Sequence, residues 1–158
     1  DSSDIVVNVQ GDEPLLEVEM FRELCHPFEG DDSIHATVLS MPVADEEEWL
    51  NPDTVKIIAN DSGEVLYTSR SPVPFSENGF TSELDARKIF GLFAFRAPAL
   101  QEFCAHPETR LERLETCDSN RILSMNFRQH AVRTARRETY AVDRLEDAMR
   151  VEKVLGGM

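Results

Sequence analysis

Cationic residues are scarce in this 158-residue chain: 16 Lys and Arg stand against 30 Asp and Glu, a formal net charge of −14. Nucleic acids and anionic membrane surfaces are recognised through basic patches, so the deficit argues against both as partners. Cysteine is scarce too. Cys25, Cys104 and Cys117 are odd in number, widely spaced and without a CxxC pair, which excludes a disulfide framework and zinc-site spacing and points to buried reduced thiols. No apolar run approaches the roughly 18–20 residues that a bilayer-spanning helix needs, and the opening Asp1-Ser2-Ser3-Asp4 has neither the basic nor the apolar region of a secretory signal. A cytoplasmic protein is expected. Because the chain starts on Asp1 rather than methionine and enters an apolar strand within a few residues, it reads as a fragment or a processed chain. With 41% hydrophobic residues and only 7 Gly and 8 Pro, the composition is that of one globular domain over residues 1–158, able to bury about two-thirds of its unfolded surface.

The residues that are present follow a clear order. Residues 1–77 hold 18 acidic and 3 basic groups, whereas residues 78–158 hold 12 and 13; an electronegative first half suits a metal-cation site or plain solubility. Ile5-Val6-Val7-Asn8-Val9 is β-branched and almost wholly apolar, as a strand covered on both faces requires, and it stops at the turn-forming Gly11-Asp12-Glu13-Pro14. The spacing of Val18, Phe21, Leu24 and Cys25 predicts a helix over 17–27, followed by a strand over 36–41 and a short helix over 45–50. This β–α–β order predicts an α/β domain: a mixed, mostly parallel sheet with flanking helices.

Residues 54–59 and 64–68, on either side of Asn60-Asp61-Ser62-Gly63, interrupt that order and predict an antiparallel hairpin that caps the sheet or reaches a partner subunit. Ser71-Pro72-Val73-Pro74 cannot continue a central strand, so 75–86 reads as a surface loop. Ile89 to Phe95 is the second strongly apolar strand, followed by helices over 98–105 and 110–125, the latter with Leu111, Leu114, Ile122 and Met125 on one face. Ala131 to Ala135 reads as an edge strand. The last helix, over 143–155, carries the stripe Leu145, Ala148, Met149, Val151, Val154 and Leu155, with Asp143 as its N-cap.

The chemistry concentrates at the end of the first strand. In open parallel sheets ligands bind beyond the carboxyl ends of strands, which places Gln10 and Asp12 at a crevice, with Gly11 allowing backbone to approach a ligand. A carboxylate there is a hard-oxygen ligand for Mg²⁺, which takes one or two carboxylates plus substrate phosphates; closing the turn is the plainer role for the same Asp. Asp143, at another β-to-α junction, is the second carboxylate, serving as helix N-cap or sharing with Asp12 a metal that bridges phosphates during an in-line displacement. Arg70, on a proline-stiffened segment, offers its fork to the carboxylate of an acidic substrate or to a surface ion pair. His26, His35, His106 and His130 share no metal-ligand spacing and read as structural or exposed, and Arg136-Arg137 reads as a solvated loop.

Taken in order along the chain, Asn8 to Pro14 (NVQGDEP), Asn51 to Lys56 with Gly63 to Tyr67, Ser69 to Pro74, Leu111 to Glu115 with Arg121, and Val142 to Asp147 resemble the motifs of the 3-deoxy-manno-octulosonate (Kdo) cytidylyltransferases, the CMP-Kdo synthetases. The resemblance implies a nucleotide-diphospho-sugar transferase-like fold, incomplete at the N-terminus, and the reaction CTP + Kdo → CMP-Kdo + diphosphate, serving lipopolysaccharide or surface polysaccharide synthesis. It implies Asp12 and Asp143 as ligands of the cofactor Mg²⁺ and as the catalytic pair. Gln10, Arg70 and Glu115 then fall in the acidic-sugar pocket, and residues 51–95 in a homodimer contact. The family's N-terminal nucleotide loop has no counterpart here, so the chain as given is not expected to turn over CTP alone. Ile89 and Phe93 stand where Kdo enzymes typically carry His and Tyr, and Cys117 to Arg121 stand where they carry Leu-Glu-Gln-Leu-Arg, so the expected sugar is other than, or broader than, Kdo. The competing expectation is a non-catalytic fragment or dimerisation subunit that keeps the sheet and hairpin without the nucleotide loop.

Overall fold

The computed structural model describes residues 3–134, 141–142 and 145–156; Ala135, the Arg136-Arg137 pair and Asp143 lie outside the described residues. Among the described residues six strands, β1 (Ile5–Val9), β2 (Ala36–Pro42), β3 (Lys56–Ala59), β4 (Val65–Ser69), β5 (Arg87–Arg96) and β6 (Gln129–Arg133), form one sheet in the order β4-β3-β5-β2-β6, with β1 joined to β5 beside that path. Strand β5 is its spine. One edge of β5 is shared by β1, along Leu92 to Arg96, and by β3, at Arg87 and Lys88, while β2 takes the other edge. The sheet is mixed, as expected, but less parallel than expected: among the described residues β2–β6 is the one parallel pairing. Strands β1, β2 and β6 do run in one direction. Strand β5 returns from the hairpin and inserts between β1 and β2 in the opposite sense, a placement that the local β–α–β pattern of residues 5–41 cannot encode.

Among the described residues seven α-helices accompany the sheet: α1 (Val18–Cys25), α2 (Pro27–Gly30), α3 (Glu46–Leu50), α4 (Ala97–Ala105), α5 (Arg110–Glu115), α6 (Ser119–Ser124) and α7 (Leu145–Gly156). The two-residue period of β5 sends Phe90, Leu92 and Ala94 to one face and Ile89, Phe93 and Phe95 to the other. On the first face α1 lays Met20 and Leu24, one turn apart, with Phe28 beyond them, over Leu39, Met41 and Leu92. Each such fully buried side chain contributes roughly 1.5–3 kcal/mol. Val18, expected on this stripe, is 69% exposed, because the buried face follows the Met20–Leu24–Phe28 spacing and Val18 falls outside it. On the second face Ala36, Val38, Phe93, Phe95 and Ile122 pack with Leu100 and Phe103 of α4.

Three expectations change. Strand β1 is half-exposed rather than covered on both faces, with Val6 and Val9 at 38% and 39%, since among the described residues it pairs only with β5. The helix expected over 110–125 is two helices. Thr116 adopts a left-handed conformation (φ 47°) that closes α5 and re-aims the chain into α6, leaving Leu111 and Leu114 exposed. Residues 75–86 do more than loop over the surface: Phe80, Leu84 and Ala86 close a small core on Trp49 and Val43, and the Trp49 indole N–H donates to the Val73 carbonyl at 3.1 Å. The three cysteines are free, but only Cys117 is buried; Cys104 sits on the outer side of α4 and Cys25 is half-buried.

Candidate active site

The end of β1 delivers its residues to a cleft of about 780 Å³, whose lining includes Gln10, Asp12, Arg70, Ile89 and Phe93. Here the chain leaves the sheet, and the backbone bond from Gln10 N–H to the Gly91 carbonyl (3.0 Å) is the last one β1 makes to β5. The Gln10 side chain folds over Gly91 so closely that a Cβ on residue 91 would lie 2.5 Å from its amide oxygen and 2.9 Å from Glu13 Cγ. A side chain on residue 91 would displace both of these neighbours. Gly91 also donates its N–H to the Glu13 carboxylate at 3.4 Å, so this one residue seats two cleft side chains.

Asp12 lines the cleft, and its carbonyl accepts a hydrogen bond from the Val142 N–H at 2.8 Å. That bond brings the segment ahead of α7 against the end of β1, and Ala141 joins the cleft lining. Asp143, the next residue in the chain, lies outside the described residues. Among the described residues no group of three or more His, Cys, Asp or Glu could hold a metal ion. A single half-exposed carboxylate facing the cleft is the donor type that suits a hard cation completed by other oxygens.

Arg70 also lines the cleft, but its guanidinium is not a free fork. Its Nε–H donates to the Glu115 carbonyl (2.9 Å) and the Thr116 hydroxyl (2.7 Å), Nη1 to the Pro52 carbonyl (2.8 Å) and Nη2 to the Thr116 carbonyl (3.1 Å). With five N–H donors, this leaves one on each terminal nitrogen beyond those bonds. A carboxylate can accept from both.

Glu115 is placed behind Arg70, outside the lining of the cleft. One carboxylate oxygen accepts from the Tyr67 hydroxyl (2.8 Å) and the Ser69 hydroxyl (3.0 Å), and the other from the Arg70 backbone N–H (2.9 Å) and again from Ser69 (3.1 Å). Burial opposes its charge, but the bonds from Arg70, Tyr67 and Ser69 outweigh that penalty and hold its pKa below the ordinary value. The Tyr67 hydroxyl, which donates to that carboxylate, is pushed up in turn.

Two features on and behind the cleft wall went unseen in the sequence. Lys56 is fully buried, and its ammonium donates to the carbonyls of Asn51, Thr54 and Arg70 at 2.8, 2.7 and 2.7 Å. A lysine inside the apolar run Val55 to Ala59, at an inward-facing alternate position, was the signal available. Lys88 and Glu48, both in the lining, form a close ion pair, and Glu48 also accepts from the Ala44 N–H at 2.7 Å. Glu112, nearly buried but also in the cleft lining, pairs with Arg121, whose guanidinium lies 4.6 Å over the Phe103 ring. Arg121 holds Glu112 below its ordinary pKa.

The comparisons with known proteins agree with this architecture. Three curated relatives named 3-deoxy-manno-octulosonate cytidylyltransferase, from Desulfatibacillum aliphaticivorans, Chloroherpeton thalassium and Acidobacterium capsulatum, are 37%, 38% and 39% identical over 97% of this chain. The chain spans 61–62% of their length. A solved structure of CMP:2-keto-3-deoxy-manno-octonic acid synthetase complexed with CTP superposes with a TM-score of 0.88 at 26% identity, covering 98% of this chain and 62% of that one. The cytidylyltransferase family model matches residues 1–136, a span that takes in the end of β1, the hairpin, Arg70 and both helices α5 and α6, and so the chain belongs to the cytidylyltransferase family.

Proposed function

We propose that this chain supplies the sugar-acid and metal side of a CTP-dependent cytidylyltransferase that activates Kdo or a related 2-keto sugar acid, giving the CMP-sugar and diphosphate. The observation that carries the reading is the Val142–Asp12 hydrogen bond, which gathers a second β-to-α junction at the cleft already holding Gln10, Asp12 and Arg70. Arg70's remaining N–H pair would hold the sugar carboxylate, and the Gln10 amide would take a sugar hydroxyl. Orientation of the anomeric hydroxyl toward the α-phosphorus is then the work of side chains fixed before the substrate arrives. Asp12, with Asp143, would hold Mg²⁺, which when bound offsets charge on the nucleotide phosphates. A cytoplasmic place of action, use in surface polysaccharide or lipopolysaccharide synthesis, and the absence of nucleic-acid or membrane partners go with this chemistry.

The test is Asp12→Asn in a protein of its relatives' full length. Release of diphosphate from CTP and Kdo should fall at least about 100-fold, because the change removes a metal-binding charge while keeping the side chain's size. Circular dichroism should stay unchanged. Undiminished turnover would overturn the reading.

The same proposal includes a homodimer. Leu50 at the end of α3, Leu66 on β4 and Phe75 beyond the hairpin are 54%, 57% and 81% exposed, and β4 is the terminal strand of its sheet. A second copy would cover both the apolar side chains and the strand edge. Light scattering at micromolar concentration should return twice the mass of one chain, and Phe75→Glu should shift it toward the monomer.

A further inference from the structure

We propose that Lys56 and Glu115 are positioning residues that grip the Arg70 peptide from both sides and so set where its guanidinium meets an acidic substrate. The inference rests on the cytidylyltransferase reading of the cleft and deepens it. The geometry is direct. The Lys56 ammonium donates to the Arg70 carbonyl at 2.7 Å, and the Glu115 carboxylate accepts from the Arg70 N–H at 2.9 Å. The Arg70 main chain is thus bonded to a cation at its acceptor and to an anion at its donor. Charge-assisted bonds are about twice as strong as neutral ones, so the residue has little freedom.

Lys56 also joins the two walls that Arg70 spans. Its other two bonds go to the Asn51 and Thr54 carbonyls, on the loop ahead of β3, while Arg70 follows β4. Arg70 in turn donates to the Pro52 carbonyl on that loop and to Thr116 where α5 ends. The same ammonium therefore fixes both Arg70 and the loop on which the Arg70 side chain rests. A fully buried lysine costs free energy unless every proton finds an acceptor, and here three carbonyls take all three. Burial, and then the Arg70 charge, lower its pKa, while Glu115 and Glu48 raise it. An apolar residue would fill this place on β3 at lower cost, so the charge serves the arrangement around it.

The experiment uses the full-length protein with Lys56→Met and, because that variant can fail to fold, Glu115→Gln, which keeps the shape and removes the charge. Each is compared with wild type for KM of the sugar acid, KM of CTP, melting temperature and hydrogen exchange at the Arg70 amide. A displaced guanidinium should raise KM for the sugar acid about tenfold, the size of losing one charge-assisted contact, and leave KM for CTP within about threefold. Exchange at the Arg70 amide should quicken in both variants. Equal rises in both KM values, or Arg70 exchange as slow as in wild type, would overturn the proposal. If the wild-type protein forms no CMP-sugar from any 2-keto sugar acid, the reaction reading fails instead. The exchange measurement then still decides whether the grip on Arg70 exists.

Discussion

At residue 91 the fold has exchanged a side chain for a neighbour's amide. Gln10 occupies the space that a Cβ on Gly91 would need, at 2.5 Å from its amide oxygen, so Gly91→Ala must shift the Gln10 amide from its place in the cleft. The strand should survive, because the backbone of Gly91 is ordinary and alanine is tolerated in β5. The effect belongs in recognition: KM for the sugar acid should rise at least about tenfold, given that misplacement of a positioning group by about 1 Å can cost up to about 100-fold. A steady-state comparison of the variant with wild type checks it, and Gln10→Ala should match Gly91→Ala in the same assay. Asp12, Gln10 and Arg70 were legible because each follows a feature that the sequence displays, a strand ending on a turn or a proline-stiffened segment. Gly91 and Lys56 were not, since what matters about each is a contact made by the folded chain: Gly91 with Gln10 of the distant β1 end, and Lys56 with the Arg70 carbonyl across the hairpin. Glu115 was placed in the pocket by resemblance, whereas its oxygens face Tyr67, Ser69 and the Arg70 N–H.

Among the elements, the β3–β4 hairpin was legible as a hairpin from Asn60-Asp61-Ser62-Gly63, and its turn is closed by Asn60 accepting from the Ser62 and Glu64 N–H groups. Its destination was not legible. The tip crosses to β6, where Ala131 N–H donates to the Gly63 carbonyl at 2.8 Å, and Glu64 and Asp31 both pair with Arg128. Gly63 has φ +84° and lies on His130, whose ring would be 2.4 Å from an added Cβ. Gly63→Ala should therefore cost about 1–3 kcal/mol from backbone strain alone, read as a lower urea midpoint. The helix expected over 110–125 failed for a related reason. Its period continued through Thr116, but the pairing of Glu112 with Arg121 and the bond from Asn120 to the Thr68 carbonyl (3.0 Å) fix α6 separately from α5.

The docked tip also makes stability depend on pH. Burial and then Arg128 lower the pKa of His130 below its ordinary 6.5, against opposing contributions from Asp31 and Glu64. The folded state therefore binds a proton less readily than the unfolded chain, so this contribution is complete above about pH 6.5 and is lost as pH falls through the depressed folded value. Wild type should lose more stability than His130→Gln between about pH 7.5 and pH 5.5, measured as the change in urea midpoint. Equal losses would show that the hairpin tip does not feel the imidazole.

For the whole molecule the deciding quantity is charge. The chain carries a net −14, and the cleft itself is lined by Asp12, Glu13, Asp53, Glu108 and Asp118 in addition to Glu48, which Lys88 neutralises, and Glu112, which Arg121 neutralises. The cations in that lining are Arg70, largely bonded to carbonyls, and Lys88, paired with Glu48. A nucleoside triphosphate approaching such an acidic surface meets repulsion of about 1 kcal/mol from a carboxylate at close range in water, and more where water is excluded. On the proposed function, binding of CTP should then depend on a divalent cation to a degree that a neutral cleft would not require. In the full-length protein, CTP with Mg²⁺ in large excess over its dissociation constant should raise the melting temperature, since about 100-fold excess over Kd adds about 2.7 kcal/mol of stability by mass action. The same CTP with EDTA should give no shift, and Asp12→Asn should abolish the shift with Mg²⁺ present. Raising the salt concentration in the EDTA arm separates the two sources of cation dependence: general screening would restore some CTP binding at high salt, whereas a bound ion cannot be replaced that way. A CTP-induced shift that persists undiminished in EDTA at low salt would show that the acidic residues of the cleft are already balanced by groups elsewhere in the protein.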